Sequence, residues 1–312
     1  MVLKRIRISI AKFILPIIHI IFKILKSNTR AINYLNEKKT YSNNSYNFQK
    51  EITHLLENKK LIGLDVGAQG GFNSDKFFPQ KYNKFFQTIL VDPLKDSLEN
   101  VHSDHTIYKG LWSSKELKKL FILSKRPGSS SMFEPNNKSF SIYGFKKKDF
   151  DLFKVTETKM VECDTISSCL QDLKINKLDF LKIDTQGSEF EILKGLNEYK
   201  PLLIKCEVQI FPMYKNQSSW TEITNLLNKL GYIISDWRKI GSHATRTPVE
   251  MDMIFIPNFF NELGKNLILK NKNEYICLML ISGQIRLLKE SLKILNLESL
   301  KFLDNLEDKF FN

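Results

Sequence analysis

The chain has 312 residues, 42% of them apolar and 26% charged, which is an ordinary globular composition with enough chain for a sizeable core in one large or two modest domains. The formal net charge is +13, from 47 Lys+Arg against 34 Asp+Glu. The lysines are spread along the chain, which reads as a solvated surface rather than a tract built for a polyanion. Cys163, Cys169, Cys206 and Cys277 form no C-x-x-C pair and stand at zinc spacing with no histidine. That pattern excludes a zinc site and fits a reducing compartment.

The first stretch, ISIAKFILPIIHIIFKIL at 8–25, follows Lys4, Arg5 and Arg7. Lys12, Pro16 and Lys23 interrupt it, it is short for a spanning helix, and no small-residue cleavage site follows. It reads as a helix packed on the domain; the competing reading is peripheral contact of residues 1–26 with the inner face of a membrane. With the polar, Asn-rich lead-in it makes up residues 1–49. Short apolar strand runs then follow at 61–64, 88–91, 105–112, 180–183, 202–208, 232–237 and 253–256, with helical patterns at 190–196 and 220–230 between some of them. Continuous apolar strands separated by helices predict a parallel sheet covered on both faces, over a domain at 50–258. Residues 117–161 break the rhythm with LKKLFIL, the turn-rich RPGSSSMFEPNNKS and the alternating FKVTETKMVE. This predicts a β-hairpin-like insertion between the third and fourth core strands. The tail at 259–312 repeats leucine and isoleucine near helical spacing and predicts a helical extension, packed on the domain or forming a homodimer contact.

Chemistry concentrates at strand ends. LIGLDVGAQGG at 61–71 is a strand that ends in a glycine-rich turn leading toward a helix. Open α/β sheets bind ligands at such carboxyl ends. The spacing G-x-x-G-G and the acid Asp65 disfavour a dinucleotide pyrophosphate and favour a ligand carrying a cationic group. Asp92 ends the next strand, where a carboxylate can accept two hydrogen bonds from vicinal ribose hydroxyls. Asp184 ends the strand of DFLKIDTQGSEFEILKG (179–195), Glu189 opens the helix after it, and Glu207 lies near the end of the strand in LLIKCEVQIFPMY. These three acids converge on one rim if the strands are neighbours. Glu189 alone is also a first-turn helix acid favoured by the dipole.

The ordered set DVGAQGG, VDP, RPGSSSMFEPN, DFLKIDTQGSEFEILKG, CEVQIFPMY and EMDMIFI resembles the FkbM-type family of S-adenosylmethionine-dependent methyltransferases, over roughly residues 50–257. The resemblance implies an α/β, class I methyltransferase Rossmann-like doubly wound seven-stranded sheet with its last strand antiparallel. It also implies methyl transfer, typically to a hydroxyl oxygen of a sugar or secondary metabolite. Asp65, Gly67, Ala68 and Gly71 match the motif that holds the methionine end of S-adenosyl-L-methionine. Asp92 matches the ribose-binding acid, and Gly110 and Leu111 fall where adenine is flanked. Two departures stand out. Gln69 occupies a position commonly Asn, and Lys205 and Gln209 sit where relatives often carry acids beside Glu207.

Methyl transfer from a sulfonium needs in-line alignment, and an alcohol acceptor needs a base for its proton. Asp184 is the leading base, Glu189 and Glu207 are alternates, and His243 is a weaker candidate. An acid cluster holding Mg²⁺ is a less favoured reading, and no protein metal ligand set is assigned. Ser129–Ser131 read as a lining for a polyhydroxylated small-molecule or glycan acceptor. Nucleic acid is disfavoured because no base-clamping motif or Arg-interleaved aromatic run is present. The competing functions are an NAD(P)-dependent oxidoreductase on a similar sheet and a non-catalytic membrane-surface binding protein; the expected location is cytoplasmic.

Overall fold

Seven strands assemble into one mixed sheet: β1 (Leu61–Val66), β2 (Phe86–Val91), β3 (His105–Ile107), β7 (Phe180–Ile183), β8 (Leu203–Gln209), β9 (Tyr232–Ser242) and β10 (Pro248–Pro257). Their spatial order is β3-β2-β1-β7-β8-β10-β9. β10 pairs antiparallel with both β8 and β9, and the pairings from β3 through β8 are parallel. The computed structural model describes residues 47–242, 248–298, 300 and 302–303, together with positions 14 and 17. Apart from positions 14 and 17, the apolar segment expected at 8–25 lies outside the described residues, as does the candidate His243. Among the described residues no helix is long and apolar enough to cross a membrane.

The strands are apolar runs because both faces are covered. On one face Leu64, Val66, Leu181, Ile183, Ile204, Cys206, Met253 and Phe255 form a single core. It is closed by Ile166, Cys169 and Leu170 of α2 (Ile166–Asp172), Ile192 and Leu193 of α3 (Glu189–Lys194), and Ile223 and Leu227 of α4 (Trp220–Lys229). Thr165 caps α2 by accepting from Ser168 N–H, and Ser219 and Glu222 form a reciprocal capping box on α4. Each cap removes an orphan donor, so both helices start where the sequence supplies a hydroxyl.

The other face departs from expectation. The glycine turn after β1 was expected to lead into a helix, and it does not. Residues 67–79 run as successive turns, followed by the 3₁₀ segment Gln80–Phe85. Gly70, Gly71, Asn73 and Lys76 all have positive φ, which a helix cannot accommodate. Phe72, Phe77 and Phe78 pack instead onto Phe86 and Phe180 of the sheet, with Phe77 and Phe180 stacked at 5.9 Å and Phe78 and Phe86 at 5.3 Å. Each buried phenylalanine contributes about 1.5–3 kcal/mol, more than a short helix gains from its own propensity.

Two further expectations change. The run 105–112 is not one strand. It divides at Tyr108–Lys109 into β3 and β4 (Gly110–Leu111), and β4 leaves the main sheet to pair with β6 (Glu157–Asp164). A Cβ on Gly110 would lie 2.6 Å from Cys163 Sγ and 2.3 Å from Met132 Cε, so glycine fits at this departure point without displacing either side chain. The insertion is likewise more than a hairpin. β5 (Glu116–Ile122) and β6 pair antiparallel, but residues 123–156 separate them and carry a second core of Leu123, Phe140, Tyr143 and Phe153 against Met213, Tyr214 and Val249. Arg126 lies over Phe145 and Phe153 at 5.2 and 4.8 Å, and its Nε donates to Ser129 Oγ.

The tail forms α5 (Glu262–Lys270), α6 (Lys272–Ser282) and α7 (Ile285–Ile294). Residues Tyr275 to Ser282 of α6 are all buried, and α6 packs on α1 (Gln49–Leu56), where Asn273 Nδ2 donates to Leu55 O. The apolar repeat in the tail is therefore core-facing.

Candidate active site

The carboxyl ends of β1, β2 and β7 meet at one cleft. Gly67 N–H donates to Val91 O and Asp184 N–H donates to Val66 O, so the tips of the three strands are tied together. Gly67 has φ +73°, and a Cβ there would lie 2.0 Å from the Asp184 carbonyl oxygen. Only glycine satisfies both the left-handed backbone and that approach. The cleft encloses about 210 Å³, room for an extended small molecule rather than a single water. Gly67, Asp75, Asp92, Gly110, Leu111, Ser130, Ser131, Lys182, Asp184, Gln186 and Ser188 line it.

The predicted residues divide into two sets. Gly67, Asp92, Gly110, Leu111 and Asp184 face the cleft; Asp65, Ala68, Gly71, Glu189 and Glu207 do not. Asp65 is wholly buried, with Lys182 Nζ 2.9 Å from Oδ1 and Asn73 N–H donating to Oδ2 at 3.2 Å. Asp65 and Lys182 are direct partners in the β1–β7 register, and Lys182 and Lys205 are partners in the β7–β8 register. Lys205 in turn holds Asp75 and Asp252, each at 2.8 Å. A row of buried charges thus crosses the sheet beneath the cleft floor. Burial disfavours the Lys182 cation, but the carboxylates of Asp65 and Asp184 outweigh it and hold its pKa above the ordinary lysine value.

Asp184 sits one residue beyond the paired positions Ile183 and Cys206, as does Glu207 on the adjacent strand. That register brings the two acids together. Gln186, in left-handed backbone at φ +60°, lies between them: its Nε2 is 3.1 Å from Asp184 Oδ1 and 3.0 Å from Glu207 Oε1. Burial pushes the Glu207 carboxyl well above the usual carboxylate range, and the charges of Asp184, Glu250 and Asp252 push the same way. Asp92 accepts from Leu94 N–H at Oδ1, and burial raises its pKa.

Glu189 has a different task. Its Oε1 accepts from Thr185 N–H and Thr185 Oγ1, and its Oε2 from Gly187 N–H at 2.9 Å. The carboxylate closes the Thr-Gln-Gly turn from beneath and holds Gln186 in its left-handed conformation. Ser131 Oγ, from the insertion, donates to Gln186 O at 2.7 Å from the other side. Sequence reasoning missed Gln186, Lys182 and Ser188. The only signal for Gln186 was its place in a strand–turn–helix junction between two acids. Ser188 Oγ is buried at the cleft and has no hydrogen-bond partner among the described residues.

Among the described residues no group of three or more His, Cys, Asp or Glu is arranged to hold a metal ion. A family model described as the methyltransferase FkbM domain matches residues 65–234, a span that runs from Asp65 through Asp92, Asp184 and Glu207 into β9. No curated protein matches the chain.

Proposed function

The chain belongs to the FkbM methyltransferase family, and from that membership we propose that it transfers the methyl group of S-adenosyl-L-methionine to a hydroxyl oxygen of a sugar, glycan or secondary metabolite. The sheet order, with β10 as the antiparallel strand, supports a class I Rossmann-like reading of the domain. The observation that carries the proposal is the convergence of Gly67, Asp92 and Asp184 on one cleft at the ends of β1, β2 and β7.

The residues present suit such a cofactor. Gly67 leaves the backbone open to a ligand, and the Asp92 carboxylate, which accepts from Leu94 N–H and the Ser97 hydroxyl, keeps lone pairs for a ribose diol. Asp75, Asp92 and Asp184 face the cleft together with Lys109 and Lys182, so a zwitterionic occupant has partners of both signs there. The buried Ser188 hydroxyl, lacking a protein partner, has a ligand group to meet there. Asp65 would act at one remove, by fixing the Lys182 ammonium in the cleft floor.

The bound cofactor supplies an electrophilic methyl group. The chain's own work is to align the acceptor and to take its proton. Asp184 is the acid in the cleft positioned to accept that proton as the new carbon–oxygen bond forms. Ser130, on the insertion wall, has a hydroxyl proton to give a polyhydroxylated acceptor, whereas the Ser131 hydroxyl is taken up by Gln186 O and Phe133 N–H. Substituting Asp92 by Ala should abolish cofactor binding in calorimetry, whereas Asp184→Ala should bind cofactor as the parent does. Unchanged affinity in Asp92→Ala would refute the ribose assignment.

A further inference from the structure

We propose that Gln186 is a positioning residue for Asp184: oriented by the Tyr214 hydroxyl, its carboxamide gives one N–H to Asp184 and the other to Glu207, and so presents the Asp184 carboxylate to the acceptor. The inference rests on the methyltransferase reading of the cleft and assigns a part to a residue that the reading leaves idle.

The geometry carries it. A carboxamide nitrogen has two protons, and here each has an acid oxygen within 3.1 Å. The other end of the carboxamide is fixed as well. Tyr214 OH stands 2.9 Å from both Gln186 Oε1 and Ser129 O, and its one proton is shared between these two carbonyl oxygens. Burial pushes the Tyr214 pKa up, so the phenol stays protonated and remains a donor. A flipped carboxamide would turn its oxygen toward Asp184 and its nitrogen toward a phenol, losing both acid contacts. The backbone of Gln186 is clamped by Glu189 beneath the turn and by Ser131 Oγ on its carbonyl. Tyr214 belongs to the insertion core and Ser131 to the insertion wall. The insertion side therefore reaches Asp184 through the Gln186 carboxamide, and a second chain through Gln217 and Gln209 reaches Glu207.

The charged groups that face the pair come from four strands: Asp65 from β1, Lys182 from β7, Lys205 from β8, and Glu250 and Asp252 from β10. Lys182 Nζ is 3.9 Å from Asp184 Oδ2, on the side away from the oxygen that Gln186 holds. Asp184 is thus held at both oxygens, by a cation on one and by a neutral donor on the other. A neutral donor fixes a carboxylate without neutralising it, which suits a group that must still accept a proton.

The test reads the side chain directly. In ¹⁵N-labelled full-length protein, Gln186→Leu assigns the carboxamide proton pair by removing it. Asp184→Ala should then displace and expose one of the two protons to exchange, Glu207→Ala the other, and Tyr214→Phe should weaken protection of both. If Asp184→Ala leaves both protons unmoved, the proposal is overturned. Calorimetry with S-adenosyl-L-methionine on Gln186→Leu and the isosteric Gln186→Glu should give affinities within about threefold of the parent. Single-turnover transfer to the probe methyl β-D-glucopyranoside should fall about 10- to 100-fold in both, the size expected for a reacting group displaced by about 1 Å. Unchanged transfer in Gln186→Leu also overturns the positioning role. Absence of S-adenosyl-L-methionine binding in the parent would instead refute the methyltransferase reading of the cleft, and the carboxamide protons would still report whether Gln186 bridges the acids.

Discussion

Replacing Lys182 by methionine isolates the buried charge row. Lys182 and Asp65 are 2.9 Å apart with side chains 4% and 0% exposed. The substitution keeps an unbranched apolar stem of similar volume and removes the ammonium. Asp65 would then be a buried carboxylate with the Asn73 N–H as its remaining partner, at 3.2 Å. Removing one member of a buried pair costs about 3–5 kcal/mol, because the other charge remains uncompensated. Against a typical total stability of about 5–15 kcal/mol, that is about a fifth or more. Lys215 and Glu134 provide an internal contrast, 2.7 Å apart but with side chains 49% and 50% exposed. Lys215→Met should cost no more than about 1 kcal/mol. The double variant Asp65→Leu/Lys182→Met should recover much of the loss, since an apolar pair of similar volume replaces a buried ion pair at little cost. Urea unfolding at pH 7 measures all four proteins. A loss below about 1 kcal/mol in Lys182→Met, or a double variant no more stable than the single, would refute the account of the row as a coupled buried pair.

Gly67→Ala should lose about 1–2 kcal/mol from the left-handed backbone alone. It should also weaken cofactor binding more than tenfold in calorimetry, because its Cβ would drive the Asp184 carbonyl away; parent-like affinity would argue against the tied strand tips. Glu207→Gln bears on pH. The folded state raises the Glu207 pKa above its unfolded value of about 4.3, so native protein binds the proton more tightly and stability falls as pH rises from there toward the folded pKa. The neutral variant should therefore gain on the parent as pH rises above the unfolded carboxylate value of about 4.3 in thermal unfolding, and parallel stability curves would refute the shift.

The strands that the sequence marked best are those buried on both faces. β1, β2, β7 and β8 begin and end within a residue or two of their apolar runs, and Gly67, Asp92 and Asp184 could be read from their place at the tips. β9 extends to Ser242, beyond the run seen at 232–237, because it is an edge strand and its later residues need not be apolar. The missing helix after β1 was illegible for another reason. Phe72, Phe77 and Phe78 stand at no helical spacing, and the sheet residues they meet, Phe86 and Phe180, are distant in the chain. Lys182 looked like a solvent-facing interruption in a strand. Its partner Asp65 lies 117 positions earlier, and the pairing follows from parallel register, which neither stretch encodes alone. For the same reason Asp65 read as a ligand-facing acid. Glu189 was equally open between two roles until its partners, the Thr185 and Gly187 N–H groups, were in view.

The insertion wall of the cleft has its own core, built by Phe140, Tyr143, Phe153 and their neighbours, distinct from the one between the sheet and α2–α4. Tyr143 OH anchors it by hydrogen bonds to Phe211 O and Val249 O, backbone atoms whose position is independent of the residues carried there. Such a wall is exchangeable. Its surface can drift, lengthen or be replaced between related chains while the charge row and the tied strand tips stay as they are. New acceptors would then be reached by rewriting residues 123–156, with Ser131 and Tyr214 as the two fixed points at which any replacement must still meet Gln186.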